Sequence, residues 1–174
     1  MSSDTVETVW EGTFIAAKRR GKWEYVSRIG GVRAAVILAI DNGDVILVEQ
    51  YRVPLGKTCL ELPAGLVGDL DAGESVEQSA RRELEEETGY RAGRIEELGE
   101  FYSTPGLASE GFTLVRATEL SQVGDGGGDA DENIVVHRVA LAQLEAFVAA
   151  KRAEGCGVDV KLLLLLGAGI VGGG

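Results

Sequence analysis

At 174 residues the chain is long enough for one domain with a sizeable core, and 45% hydrophobic with 26% charged residues is an ordinary globular composition. Its 28 acidic residues outnumber 17 basic ones, a net charge of −11 that repels phosphate backbones and argues against a nucleic-acid polymer as partner. A small phosphate ester could still bind, given a metal and a few placed arginines. Cys59 and Cys156 make neither a disulfide framework nor a zinc spacing, and read as buried, inert thiols. The first residues lack the basic start and apolar core of a signal peptide, and the apolar run at 162–171 falls well short of the ~20 residues of a spanning helix. The cytoplasm is the expected location.

Along the chain, residues 6–28 read as a strand-rich entry, with strands at 8–15 and 23–28 around the turn-like Arg19-Arg20-Gly21. Residues 32–40 are almost continuously apolar and β-branched, as in a strand buried on both faces. Asp41-Asn42-Gly43-Asp44 marks a tight turn, and 45–50 returns as the partner strand. Residues 59–62 form a short strand stopped by Pro63. A helix is expected over 74–88, with Val76, Ala80 and Leu84 as its buried stripe and Gly89 as its stop. Strands at 95–101 and 112–120 flank the loop 103–110. The Gly- and Asp-rich stretch 121–131 is expected to be a mobile loop. A last strand at 133–139, an amphipathic helix at 141–153 and a terminal helix at 159–166 complete the chain, ahead of a frayed 171–174. Pattern alone gives α/β or α+β.

The helix at 74–88 concentrates negative charge. At about 100° per residue, Glu83 and Glu87 share a face, Glu86 sits on its flank and Glu85 falls on the far side. Like charges at i, i+4 repel. A hard divalent cation reverses that sign, since Mg²⁺ or Mn²⁺ prefers carboxylate oxygens. Arg82, four residues before Glu86, can orient one carboxylate while the others take metal. A solvated acidic helix would explain the charge, but not the arginine, the glycine stop and the spacing together.

This stretch resembles the Nudix box, G-x5-E-x7-R-E-U-x-E-E-x-G-U with U a bulky apolar residue. Gly68, Glu74, Arg82, Glu83, Leu84, Glu86, Glu87, Gly89 and Tyr90 fill its fixed positions. Family members usually begin the box at an Ala-Gly pair, here Ala64-Gly65, which leaves three residues too many before Glu74. Either Gly65 or Gly68 opens it. The resemblance implies a Nudix-type α/β/α sandwich with a mixed sheet, preceded by a small N-terminal β segment. The corresponding division is 1–30 for dimerisation and substrate contacts and 31–174 for the Nudix domain. The implied chemistry is metal-dependent hydrolysis of a nucleoside diphosphate linked to another group.

Outside the box the chain resembles the ADP-ribose and ADP-sugar pyrophosphatases. Trp23-Glu24-Tyr25-Val26-Ser27-Arg28 matches a segment whose Trp stacks on adenine, whose Glu accepts a base hydrogen bond and whose Arg binds substrate. Phe14 stands where the family often has a second stacking aromatic. In that family the segment crosses to the partner of a homodimer. Val48-Glu49-Gln50-Tyr51-Arg52 and Glu61-Leu62-Pro63-Ala64-Gly65-Leu66 match the strand pair leading into the box. There Arg52 meets a phosphate and the Ala64 carbonyl joins the metal shell of Glu83, Glu86 and Glu87. The stretch at 131–136 resembles the strand preceded by a general base, here Glu132, with Asp129, Asp131 and Glu110 competing for the role.

Each assignment has a structural alternative. Trp23 could be core, Arg28 and Arg52 could be salt-bridge residues, and Glu132 could be a solvated loop acid. His137 and Tyr51 read as packing residues. The expected reaction converts ADP-ribose, or a related ADP-sugar, to AMP and a sugar phosphate with Mg²⁺ or Mn²⁺. A GDP-mannose-type or broader nucleotide-sugar pyrophosphatase is the alternative. A non-catalytic ADP-ribose-binding module ranks lower, because such modules typically lose box glutamates that are all present here.

Overall fold

The computed structural model describes residues 5–68, 73–128 and 132–172. The chain opens with three antiparallel strands, β1 (Glu7–Glu11), β2 (Ile15–Arg20) and β3 (Trp23–Arg28), in a sheet of their own. An eight-stranded mixed sheet follows. Its strands are β4 (Arg33–Asp41), β5 (Asp44–Arg52), β6 (Lys57–Glu61), β7 (Ala64–Val67), β8 (Tyr90–Phe101), β9 (Phe112–Gln122), β10 (Val135–Ala140) and β11 (Gly157–Val158). The order is β11-β6-β5-β4-β9-β8, with β10 added on β5 and β7 on β4; β4–β9 and β6–β11 run parallel. Helix α1 spans Val76–Thr88, α2 spans Leu144–Ala153 and α3 spans Leu163–Gly172.

Alternation along β4 and β5 builds the layers, because successive strand residues face opposite sides of a sheet. Ala35, Ile37, Ala39 and Ile46 pack with Ala80 and Leu84 of α1. Val36, Leu38, Val45 and Leu47 face the other way, onto Leu144 and Val148 of α2 and Leu162 and Leu166 at the C-terminal end. The result is the expected sandwich, helices on both faces of a mixed sheet. Leu84 is fully buried, and truncating such a side chain to alanine costs ~2–5 kcal/mol.

Several boundaries differ from the sequence expectation, for local reasons. The helix starts two residues late, because Ser75 is its N-cap: Ser75 Oγ accepts from Gln78 N (3.2 Å), and Gln78 Oε1 accepts from Ser75 N (2.9 Å). Gly89 closes the other end, its N–H reaching Glu85 O at 2.9 Å. Strand β7 was not expected after Pro63; it forms because β4 offers its edge, pairing Val36 with Ala64 and Ala35 with Gly65. The entry is two strands where 8–15 read as one, since the chain turns back after Glu11. Both cysteines are buried and free, and burial pushes the Cys59 thiol up to about 12. His137 packs on the Phe147 ring and contacts Glu49 Oε at 2.9 Å, away from the carboxylate helix's acidic face. Tyr51 is 58% exposed rather than packed.

Candidate active site

Strand β6 ends at Glu61, and Pro63 O accepts the Ile37 N–H at 2.8 Å, which steers the chain onto β4. This turn releases the Ala64 N–H toward α1, where it donates to Glu87 Oε2 at 3.0 Å. Two residues of the strand pair and one helix face are thereby locked together. Gly65 lies directly beneath Glu83: a Cβ there would occupy the place of the Glu83 side chain. Gly68 has a different task, donating its N–H to Glu74 Oε2 at 3.2 Å. The two candidate opening glycines therefore divide the work, Gly65 as the seat of Glu83 and Gly68 as an anchor for Glu74.

Arg82 ties the helix start to its acidic face. It reaches Glu74 Oε1 (3.0 Å), Glu83 Oε1 (2.9 Å) and Glu86 Oε2 (3.0 Å). The Glu74 hydrogen bond leads in raising the guanidinium above its ordinary range, and the same bond lowers the Glu74 carboxyl. Glu83 is thus ion-paired to its own sequence neighbour. Glu85 turns away, as expected, and pairs with Arg91 through 2.8 and 2.9 Å contacts.

One cavity of about 430 Å³ gathers Arg28, Arg52, Glu83, Glu87, Glu132 and Lys161 on its walls, with Ala64 between them. Arg52 is held bidentately by the buried Glu61, at 2.7 and 2.9 Å. Arg28 is held by Glu110, which assigns that rival acid to an ion pair. Backbone bonds between Val26 and the 104–109 loop, Val26 N to Leu107 O and Ser109 N to Val26 O at 2.9 Å each, bring Arg28 to this wall. Glu86 points outward on Arg82 and is exposed. Asp129 and Asp131 lie outside the described residues.

Phe14, Trp23 and Glu24 do not line the cavity of their own chain. Trp23 and Phe14 are 62% and 75% exposed, so neither is core. Trp23 begins β3 at the hairpin turn and Arg28 ends it, about 17 Å away at ~3.3 Å per residue.

Lys161 was missed by sequence reasoning. It follows β11, whose parallel register pairs Val158 with Leu60, and Asp159 N donates to Leu60 O at 3.0 Å. That places the lysine beside the Arg52–Glu61 pair. Asp159 holds its ammonium at 2.7 Å, and the Phe112 ring centroid lies 5.8 Å away. The one signal in the sequence was the capping Asp two residues earlier.

The donor set suits a hard divalent cation. Glu87 is only 4% exposed. Burial pushes its carboxyl up to about 8; the Ala64 N–H opposes this, while Glu83 and Glu132 add repulsion. Such a group is stable as a carboxylate only with positive charge supplied. Among the described residues no three ligand-type side chains are gathered closely enough to hold an ion as they stand, because Arg82 draws Glu83 and Glu86 toward itself. Glu83 and Glu87 face the cavity from the Gly65 and Ala64 seats and would form the core of a metal shell.

A pH dependence follows. The folded, metal-free protein holds a proton on Glu87 that an unfolded glutamate, with an ordinary pKa of ~4.3, releases. The stabilisation is complete below that ordinary value and is lost as pH rises toward about 8. Metal-free protein should therefore melt progressively lower as pH rises from about 5 to about 8, and millimolar Mg²⁺ should raise the midpoint more at about pH 8 than at about pH 5. Calorimetry with and without chelator checks this; a metal-induced shift independent of pH would count against Glu87 as a ligand.

Residues 31–155 match the NUDIX domain, and the chain belongs to the Nudix family. Divalent-metal dependence is a general property of Nudix hydrolases, and this chain is a hydrolase of that family. The chain is 38% identical over 141 residues to an ADP-ribose pyrophosphatase of Bacillus subtilis, covering 80% of this chain and 74% of that one. It is 33% identical over 140 residues to a GDP-mannose pyrophosphatase of Pectobacterium atrosepticum, covering 76% and 68%. A solved structure described as an ADP compounds hydrolase superposes with a TM-score of 0.71 at 26% identity, covering 98% of this chain and 94% of that one.

Proposed function

We propose that the protein hydrolyses the diphosphate bond of ADP-ribose or a related ADP-sugar, giving AMP and a sugar phosphate, with Mg²⁺ or Mn²⁺ as cofactor. The observation that carries this reading is the convergence of Glu83, Glu87 and Glu132 with Arg28, Arg52 and Lys161 on one cavity. Glu83, Glu87 and the Ala64 carbonyl would hold the cation, and Glu86, which points outward on Arg82, would join them only by turning toward the cavity. When bound, it supplies charge neutralisation for the diphosphate and activation of water.

The chain's own side chains do the rest. Arg52 and Arg28 bind phosphate oxygens, preoriented by Glu61 and Glu110. Lys161 adds a third cation on the same wall. Glu132 takes a proton from the attacking water as its oxygen bonds to one phosphorus; the bridging P–O bond breaks, and the other phosphate leaves with the electron pair. Arg82 orients Glu83 and Glu86 from behind.

The base is recognised by Phe14, Trp23 and Glu24 acting in the cavity of a second copy. Their exposure on a separate three-stranded sheet, together with Trp10 at 57% exposed, supports a homodimer in which residues 1–30 serve the neighbour and 31–174 form the catalytic domain. The substrate is a small soluble nucleotide sugar and the proposed location the cytoplasm; among the described residues no helix is long and apolar enough to cross a membrane.

A GDP-mannose-type activity is the second reading, favoured by the relative so named. The two are separated by turnover of a panel of nucleoside diphosphate sugars with Mg²⁺. Glu24 offers an acceptor to the adenine amino group, which guanine lacks at that position. A site built on such a bond rejects the wrong base strongly. ADP-ribose should be preferred, and Trp23→Ala should raise KM by about tenfold, the ~1–3 kcal/mol of base–aromatic stacking. Preferential turnover of GDP-mannose would overturn the adenine assignment.

A further inference from the structure

Residues 123–128, part of a glycine-rich stretch expected to be mobile, are bonded to the end of the helix that carries Glu83 and Glu87. Gly127 N–H donates to Glu87 O at 2.9 Å and Gly128 N–H to Glu86 O at 3.0 Å. These carbonyls lie in the last turn of α1, where no intrahelical donor exists for them. Val123 and Gly124 N–H both reach Gly89 O, at 2.8 and 3.1 Å. Residues 123–128 are therefore a strap docked along the end of α1, supplying the donors its backbone lacks.

Only glycine permits that docking. Gly126 has φ 68°, and a Cβ there would collide with the Thr88 backbone carbon and lie 2.7 Å from Glu87 O, neither of which can yield. Gly128 also has φ 68°; a Cβ there would collide with Glu132 Oε2 and stand 2.8 Å from Ile134 Cδ1. The Glu132 carboxylate thus rests against the bare Cα of a residue whose own N–H is bonded to α1. The far side is tied as well: Ile134 N–H donates to Gly127 O at 3.2 Å.

We propose that Gly126 and Gly128 are positioning residues for the hydrolysis, clamping the strap to the last turn of α1 so that Glu132 is seated at a set place opposite Glu83 and Glu87. The inference rests on Glu132 as the base. The clamp spans the two halves of the site. Gly127 and Gly128 hold the backbone of Glu87 and Glu86, and Gly128 also touches the Glu132 carboxylate that faces them. Conformational freedom that a loose loop would lose at each turnover is already lost in folding.

A double-mutant cycle of G128A and E132Q tests this, with kcat and KM read under saturating Mg²⁺ and cation affinity read by Mn²⁺ titration. Alone, G128A should lower kcat about tenfold or more, leaving KM and Mn²⁺ affinity within about twofold. Added to E132Q it should cost less than about twofold further, because the residue it acts through is already gone. Equal losses in both backgrounds, or wild-type kcat for G128A where E132Q is impaired, would overturn the positioning role. Wild-type activity in E132Q would remove Glu132 as the base, and the inference with it. Hydrogen exchange on the unmodified protein is independent of variant folding. Gly127 and Gly128 amides should be protected like the last turn of α1, and exchange at unstructured rates would overturn the clamp.

Discussion

Replacing Glu87 by glutamine should lower turnover by about 10³-fold or more, while replacing Glu85 two positions away should leave it within about twofold. Glu87 is buried against the Ala64 N–H, with Glu83 and Glu132 as like-charged neighbours. Glutamine keeps an oxygen for that N–H but cannot supply the negative charge a cation requires, and a lost ligand forfeits several kcal/mol of transition-state stabilisation. The fold should survive, because the change removes a buried charge. Metal-free Glu87→Gln should melt no lower than metal-free wild type near pH 8. Glu85 pairs with Arg91 on the opposite side of α1, exposed to water. Losing that water-exposed pair should cost little stability and no catalysis. Steady-state kinetics with Mg²⁺ titration checks both; equal losses would remove the metal assignment from this face.

Glu132→Gln should lower kcat by ~10²–10⁴-fold, the usual worth of general-base catalysis, with Mn²⁺ affinity nearly unchanged. Its carboxylate lines the cavity with Glu87 and rests against the bare Cα of Gly128. Glu110, its rival, is committed to Arg28. Glu110→Gln should therefore act through KM, by releasing Arg28, rather than through kcat. A kcat collapse in Glu110→Gln with an active Glu132→Gln would transfer the role.

The box helix was legible because the spacing of Glu83, Glu86 and Glu87, with Arg82 and Gly89, follows from helix geometry alone. The near-continuous apolar run over 32–40 likewise announced a strand buried on both faces. What remained hidden was tertiary. Strand β7 is short and follows Pro63, so nothing local marks it; the free edge of β4 creates it. The partners of Arg28 and Arg52, Glu110 and Glu61, are fixed by loop docking and strand register. Lys161 comes from beyond the family-matched residues. Glycine content at 123–128 was read as mobility, yet the same lack of side chains lets the strap lie against the α1 backbone. Composition shows that a segment can approach closely, and only the fold shows what it approaches.

Hydrolysis of a diphosphate in this cavity requires a divalent cation and one water oxygen. Incubating the purified protein with ADP-ribose in ¹⁸O-labelled water, with Mg²⁺ or with chelator, and weighing the products tests it directly. The expected result is AMP and ribose 5-phosphate with one ¹⁸O in one of the two phosphates, and no turnover in chelator. Release of ADP, or turnover undiminished by chelator, would contradict it.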